Sequence, residues 1–450
     1  MRLVIWDAVP HAWRVLSTSF WFLPSILTLT ALFLAPALVQ LDEHLQAGGR
    51  SIDWLEWIYG GGLQGARRLL SAIAAAMMAI ATVMFSSQTT ALTFIGQEYG
   101  SRLLRNFLAD ARNQVAFGIY ISTFVYALMV LRTIHKDPDD APVPHLAISF
   151  GILLAMAGLG VLIYSMYHIS RFLQSSTIID YAARDLEGTI RRLTGERGSQ
   201  ASSRAEWSRP ESPGLPVPAP GDGYVQYVKE RRLLGLCRQY DCRALLNRRV
   251  GDFVVAGIPL ATLFARSSAH ESLIGQVAAM IVLGPQPNIE QDLRYAVNQL
   301  VQITLRAVSP DRNDILTATM CIDRMGAALC LLAQRVPAPE VWTDEVGNPR
   351  LLLPAVGLAD ALDTFTRPLR EIREISPTLV VRLLTMVGLV TRRAEREADR
   401  RLLKREAELI FRETEARIDS STGRQEAARA YDEVCRAVES RLEDPLLSQP

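Results

Sequence analysis

Lysine is almost missing from this chain of 450 residues: Lys136, Lys229 and Lys404 are the only three, and the other basic residues are arginines. Arginine favours bidentate contacts with carboxylates and phosphates, although genome base composition produces the same bias. The formal net charge is +1, and neither half is strongly basic, so the electrostatic footprint of a nucleic-acid-binding protein is missing. Histidine stops at His270, which leaves a Ser–His or Cys–His dyad in the charge-rich part with a single ring to use. The five cysteines (Cys237, Cys242, Cys321, Cys330, Cys435) form no C-x-x-C and precede no histidine at zinc-ligand spacing. They read as reduced thiols, with no metal site and no cofactor. G-x-S-x-G, H-E-x-x-H and P-loop patterns are also missing, so no enzymatic chemistry is expected.

Charge itself is scarce at the start. Residues 1–170 hold 10 Lys/Arg and 10 Asp/Glu, which leaves 38 and 37 for the remainder. Within that charge-poor part lie four long apolar runs, Phe20–Leu41, Leu69–Ile95, Val115–Leu131 and Leu146–Ser170. Each is long enough to cross a hydrocarbon layer of about 30 Å, the third near the minimum of about 17 residues. Ala35-Pro36-Ala37 resembles a signal-peptide cleavage site, but the preceding apolar run exceeds an h-region and Pro36 interrupts the site, so a retained helix is expected. Trp6 and Trp13 flank the first run; Trp54, Trp57 and Tyr59 follow it as interfacial aromatics. In the Gly96–Arg112 loop, Leu103, Leu104, Phe107 and Leu108 share a helical face apart from Arg102, Arg105 and Arg112, the pattern of a helix lying in the membrane plane. Ten Lys/Arg lie near the spans on one side and five on the other, which orients both termini to the cytoplasm.

The remainder is a different material. From Arg171 to Leu193 apolar residues recur helically, so the fourth span is expected to continue as a juxtamembrane amphipathic helix (171–197). Residues 198–223 are a Pro/Ser/Gly-rich linker. Residues 224–285 are a small β-rich subdomain: Tyr224–Val228 alternates, and Arg249–Ala261 reads as strand, turn, strand. The G-D-x-V-x-x-G-x-P-L spacing there resembles lipoyl- or biotinyl-carrier folds in strand geometry alone, since the hairpin lacks the lysine that carries the group. From 286 to 450 the chain is mainly helical, with a Pro-broken loop at Val336–Pro354: Leu293, Val297, Leu300, Thr304 and Ala307 form one inward face, Ser309-Pro310 stops the helix, and Asn313 or Asp314 caps the next, which runs to about Gln334. Residues 382–417 read as a solvated, charge-packed helix whose heptad pattern fails after two repeats. The fold class is therefore an α-helical membrane domain of four transmembrane helices (1–170), followed by a cytosolic α/β domain with a small β-barrel-like element and a helical C-terminal part.

Several runs together resemble a family of bacterial predicted membrane proteins known as domain of unknown function number 2254. They are Arg102–Leu108, Phe124–Tyr126 through Leu131-Arg132, Val143–Leu146, Gly223–Gln226, Gly251–Ala261, and Gln291–Tyr295 running on to Ser309-Pro310 and Asn313-Asp314. Gly100-Ser101-Arg102 and Asn313-Asp314-Ile315 depart from the family's Ser-Pro-Arg and Asn-Asp-Pro by losing a proline at a helix start. The resemblance implies a multi-pass protein of the bacterial inner membrane and implies no activity.

Two constellations are candidate sites. Thr82, Ser86, Thr90 and Thr93 recur at helical spacing in the second span, with Gln88 nearby. Such groups either hydrate a conduction path or bond to backbone carbonyls and neighbouring helices. Gly151, Ala155 and Gly158 form a small-residue face suited to close helix contact in the bundle or between subunits. In the charge-rich part, Asp292, Gln299 and Arg306 form a polar stripe expected to converge with Ser309, Asn313 and Asp314 at a helical corner, either to hold an anion or to cap helices. The partners expected are the lipid bilayer and further copies of the chain, as a channel or transporter-like assembly or as a non-conducting sensor or scaffold. No nucleic acid and no particular ion or ligand is implied.

Overall fold

The computed structural model describes residues 21–47, 62–99, 107, 110–134, 143–195, 207–210, 213–265, 271–287, 292–335, 341–354 and 357–442. The chain forms two compact units, 1–174 and 175–450.

The first unit is built on four helices, α1 (Phe22–Ala47), α2 (Leu63–Tyr99), α3 (Ala111–Ile134) and α4 (His145–Phe172). All four are long and apolar enough to cross a membrane. At about 1.5 Å per residue, the 37 residues of α2 span roughly 55 Å, well beyond a hydrocarbon core. The helices alternate in direction, and three bonds tie their ends at one side. Arg67 donates to the Ile134 carbonyl at 3.0 Å, Asp42 accepts from the Leu146 N–H at 2.9 Å, and the Tyr126 hydroxyl donates to the Ala147 carbonyl at 2.8 Å. Gly118 lets α1 lie against α3: a β-carbon there would stand 2.7 Å from Leu27 Cδ1 and 3.1 Å from Pro24 Cα. Gly151 and Gly158 pack inside the bundle, against Leu70 and Tyr126 and against Met77 and Tyr120 respectively. The small-residue face therefore serves contacts within the chain. Of the Gly96–Arg112 loop, α2 runs on to Tyr99, and Phe107 is buried 5.2 Å from the Phe172 ring. Arg102, Arg105 and the flanking aromatics Trp6, Trp13, Trp54, Trp57 and Tyr59 lie outside the described residues.

The second unit opens with α5 (Ser175–Gly195). A turn at Leu173-Gln174 separates it from α4, so the expected continuous helix is two helices. The reason is packing: Ile178, Ile179, Ala182, Leu186 and Ile190 are buried within the second unit. Eight strands follow, starting at β1 (Leu215–Pro218), inside the stretch expected to be linker. They are β2 (Gly223–Val228), β3 (Cys242–Leu246), β4 (Phe253–Val254), β5 (Pro259–Ala265), β6 (Ile281–Gly284), β7 (Val341–Thr343) and β8 (Pro349–Leu352). One sheet has the order β1-β5-β3-β8-β7 with β3 and β8 parallel; the other is β4-β2-β6. The barrel-like element is not found: both sheets are open among the described residues. The strand–turn–strand order is found, but not as a hairpin: β4 pairs with β2 while β5 pairs with β1 and β3. Gly257, at φ +83°, turns the chain from one sheet into the other. The β7–β8 hairpin, within the stretch expected to be a Pro-broken loop, completes the larger sheet. Helices α6 (Glu230–Gln239) and α7 (Glu271–Ala278) cover a core that includes Val225, Leu233, Leu260, Leu273 and Leu351. Each such buried side chain contributes about 1.5–3 kcal/mol relative to exposure.

The helical remainder comprises α8 (Leu293–Ala307), α9 (Ile315–Ala333), α10 (Leu358–Arg370), α11 (Pro377–Arg393), α12 (Glu397–Glu415) and α13 (Ser421–Leu442). The break at Ala394–Arg396 divides the expected 382–417 helix in two. Leu403, Ala407 and Ile410 of α12 are buried, so this charged helix carries a packing stripe. Helix α9 is a fifth helix apolar enough to span a membrane. It packs among α5, α8 and α11, burying Ala318, Cys321, Ile322, Met325 and Leu329.

Candidate functional site

The polar face of α2 divides in two. Thr82, Ser86, Thr90 and Thr93 are exposed, facing away from the bundle of their own chain. Thr82, Thr90 and Thr93 each donate to a carbonyl one turn back, those of Met78, Ser86 and Thr89, at 2.9–3.0 Å. Gln88 turns the other way and is 4% exposed, with no acceptor for its Nε2 among the described residues. Equal steps along the antiparallel helices from the Arg67–Ile134 contact put Gln88 level with Asn113, which is also buried and whose Nδ2 also lacks an acceptor. Asp110 caps α3 by accepting from the Arg112 N–H at 2.9 Å and meets His168 Nε2 at 2.8 Å, while the Tyr164 ring stacks on the imidazole. The sequence pattern located the outward hydroxyls; the pairing of Asp110 with His168 needed the fold.

The second constellation does not form one corner. Asp292 caps the start of α8, accepting from the Tyr295 N–H at 3.2 Å. Arg306, Ser309, Asn313 and Asp314 lie at the far end of this 15-residue helix, roughly 22 Å away by helical rise. There the Ser309 hydroxyl donates to the Arg306 carbonyl at 2.8 Å, Asn313 adopts φ +46°, and Asp314 caps α9 by accepting from the Thr317 N–H at 3.0 Å. Hydrogen bonds from Thr317 hold the Asp314 carboxyl below its ordinary range. Among the described residues, Gln299, between the two ends, is buried with neither amide atom partnered, and Arg306 Nη1 likewise has no partner.

Asp292 belongs instead to a charged hub that connects sheet and helices. Burial pushes its carboxyl up, partly offset by the Tyr295 N–H and Arg294. Arg294 donates to Asp252 at 2.8 Å, Asp252 accepts from the Arg249 N–H at 2.8 Å, and Arg249 reaches Asp360 at the start of α10 at 2.7 Å. Four of these residues sit beside glycine or helix-start signals in the sequence, but their partners lie 42 and 111 positions away. The fold also brings the Cys237 and Cys242 thiols into hydrogen-bond contact in the sheet core. The shared bond and burial raise Cys237, and the same bond lowers Cys242.

Four long apolar helices in one unit, and an α/β unit downstream, define a multi-helix membrane protein with a second folded unit. The chain belongs to the family of predicted membrane proteins DUF2254, whose model matches residues 17–388. It is similar to uncharacterised proteins of Mycobacterium bovis and of Mycobacterium tuberculosis H37Rv, each 28% identical over 354 residues, covering 77% of this chain and 68% of the relative. No solved structure matches the chain.

Proposed function

We propose that this protein crosses the bacterial inner membrane four times, keeps both termini in the cytoplasm and works as a homo-oligomer. In this reading the Thr82–Thr93 face of α2 meets neighbouring copies along a hydrated, channel-like or transporter-like path, and the α/β unit is its cytosolic regulatory part. The observation that carries it is the outward hydroxyl face, turned away from its own bundle on a helix far longer than a bilayer requires. Small polar residues mark close helix contacts in lipid, whereas a purely lipid-facing surface has no use for them. The count of four is supported by the packing of α9 against α5, α8 and α11 of the second unit, and the orientation by the arginine bias.

Ser86→Cys and Thr90→Cys variants, oxidised in native membranes, test the assembly, and ion flux from liposomes tests conduction. Cross-linked multimers with flux that falls in Thr90→Leu support the proposal; monomers without flux overturn it. A specific observation favours a second reading, a non-conducting anchor for a sensor or scaffold: the threonine hydroxyls are already bonded to their own helix. Intact multimers that pass no ion select that reading.

A further inference from the structure

In the second unit, α5, α9 and α11 run side by side in one direction. Arg324 pairs with Asp180 at 2.9 Å and Arg335 donates to Thr194 at 2.6 Å, aligning α9 with α5. Arg382 pairs with Asp323, and a β-carbon on Gly326 would stand 2.9 Å from Met386 Cγ, aligning α11 with α9. Between the three helices lies a groove of about 670 Å³. Gly326, Cys330, Leu331, Met386 and Leu389 give it an apolar lining, and Leu389 is 53% exposed.

The two ends of the groove differ in charge. At one, Arg382 is matched by Asp323. At the other, Arg191 and Arg393 line the groove; Glu187, one turn before Arg191, lines it too but forms no ion pair with either arginine. Three helix C-termini gather there, and each contributes about half a negative charge. Arg191, Arg192, Arg335, Arg392 and Arg393 together outweigh that, and the Glu187 carboxylate one turn before Arg191 in the groove lining, by more than two charges, roughly. The end is therefore electropositive beyond what the helix dipoles neutralise.

We propose that this groove binds an anionic single-chain amphiphile. Its acidic head is held by the forked donors of Arg191 and Arg393, and its chain lies along Cys330, Met386 and Leu389. Guanidinium groups suit carboxylate and phosphate oxygens, and the volume falls within the range of small-ligand sites. The inference is independent of conduction by the membrane unit.

Cys330 is the reporter, since its thiol is half-buried in the lining. The full chain, carrying Cys435→Ser, is placed in neutral phosphatidylcholine nanodiscs and labelled with N-ethylmaleimide. Titrated oleate is expected to slow Cys330 labelling at least tenfold, and dodecylamine to leave it unchanged. Arg191→Gln with Arg393→Gln should weaken the oleate effect at least tenfold, and Ala327→Trp, which fills the groove, should abolish it. Lysophosphatidic acid protecting at lower concentration than oleate identifies a membrane phospholipid as the source; the reverse identifies a free acid, and both outcomes uphold the site. No protection, equal protection by dodecylamine, or oleate protection unchanged in both variants overturns it. So does slow labelling that depends on protein concentration rather than amphiphile, which means that a second copy covers the groove.

Discussion

The backbone of Gly251 lies so close to the carboxylate of Asp292 that a β-carbon there would sit 2.0 Å from Oδ2. Gly251 also holds φ +93°, a region that side chains disfavour. The turn before β4 is thereby seated on the start of α8, where the Arg249–Asp252–Arg294 hub closes around it.

Gly251→Ala should therefore combine strain with collision and cost about 2–4 kcal/mol. Gly257→Ala isolates the strain: φ is +83° but nothing lies within 4 Å of the added carbon, so the cost is about 1 kcal/mol. Denaturant unfolding of both variants in detergent measures the difference, which is the contribution of the Gly251–Asp292 contact.

Arg370 is buried in the helical part, 3.2 Å from Glu406 and 2.6 Å from Glu413, and Glu406 also accepts from the Thr366 hydroxyl at 2.6 Å. Arg370→Met leaves the buried Glu406 carboxylate without its cation and is expected to cost about 3–5 kcal/mol. Adding Glu406→Gln removes the stranded charge and should recover part of that loss. A double-mutant cycle on unfolding free energies reads the coupling.

Asp344 gives a pH test of known sign. Burial pushes its carboxyl up, but hydrogen bonds from Arg350 and from the Asn348 and Val346 N–H groups outweigh this and hold it at about 2, below the ordinary 3.8. A carboxyl lowered in the folded state stabilises above its unfolded pKa, and that stability is lost as pH falls towards the folded value. Asp344→Asn should lower the unfolding midpoint at pH 7 and flatten its decline between pH 4 and 2. A parallel decline in both proteins would rule this out.

Cys237, Cys242 and Cys321 are buried, while Cys330 and Cys435 are partly exposed. Under native conditions maleimide should reach Cys330 and Cys435, and in denaturant all five thiols. Burial raises the Cys330 thiol despite nearby Arg393, so its labelling should accelerate as pH rises above neutrality. Peptide mass spectrometry assigns each site.

How much of this was legible in the sequence depended on the range of the interaction. The unbroken apolar runs announced the four helices of the first unit, and Asn313-Asp314 announced a cap that Asp314 supplies, because span length and capping are decided within a few residues. The Leu293–Ala307 inward face was equally readable, since burial repeats with the helical turn. The hairpin expected in Arg249–Ala261 failed because two short strands separated by a glycine turn carry no local record of which partner each will pair with. Asp292 and Asp314 appeared to share a corner because a stripe on a helix looks continuous in sequence, although its ends are a helix length apart.

By itself, then, the sequence determined where the chain is greasy enough for lipid, where it turns polar and which residues cap its helices. These depend on hydropathy and hydrogen bonding between close neighbours. Tertiary structure alone decided that α9 packs among α5, α8 and α11. It alone turned the threonines of α2 outward while burying Gln88, and joined Arg249 to Asp360. Those outcomes depend on which surfaces meet across long stretches of chain, and hydropathy does not encode the identity of the surface that will cover a side chain.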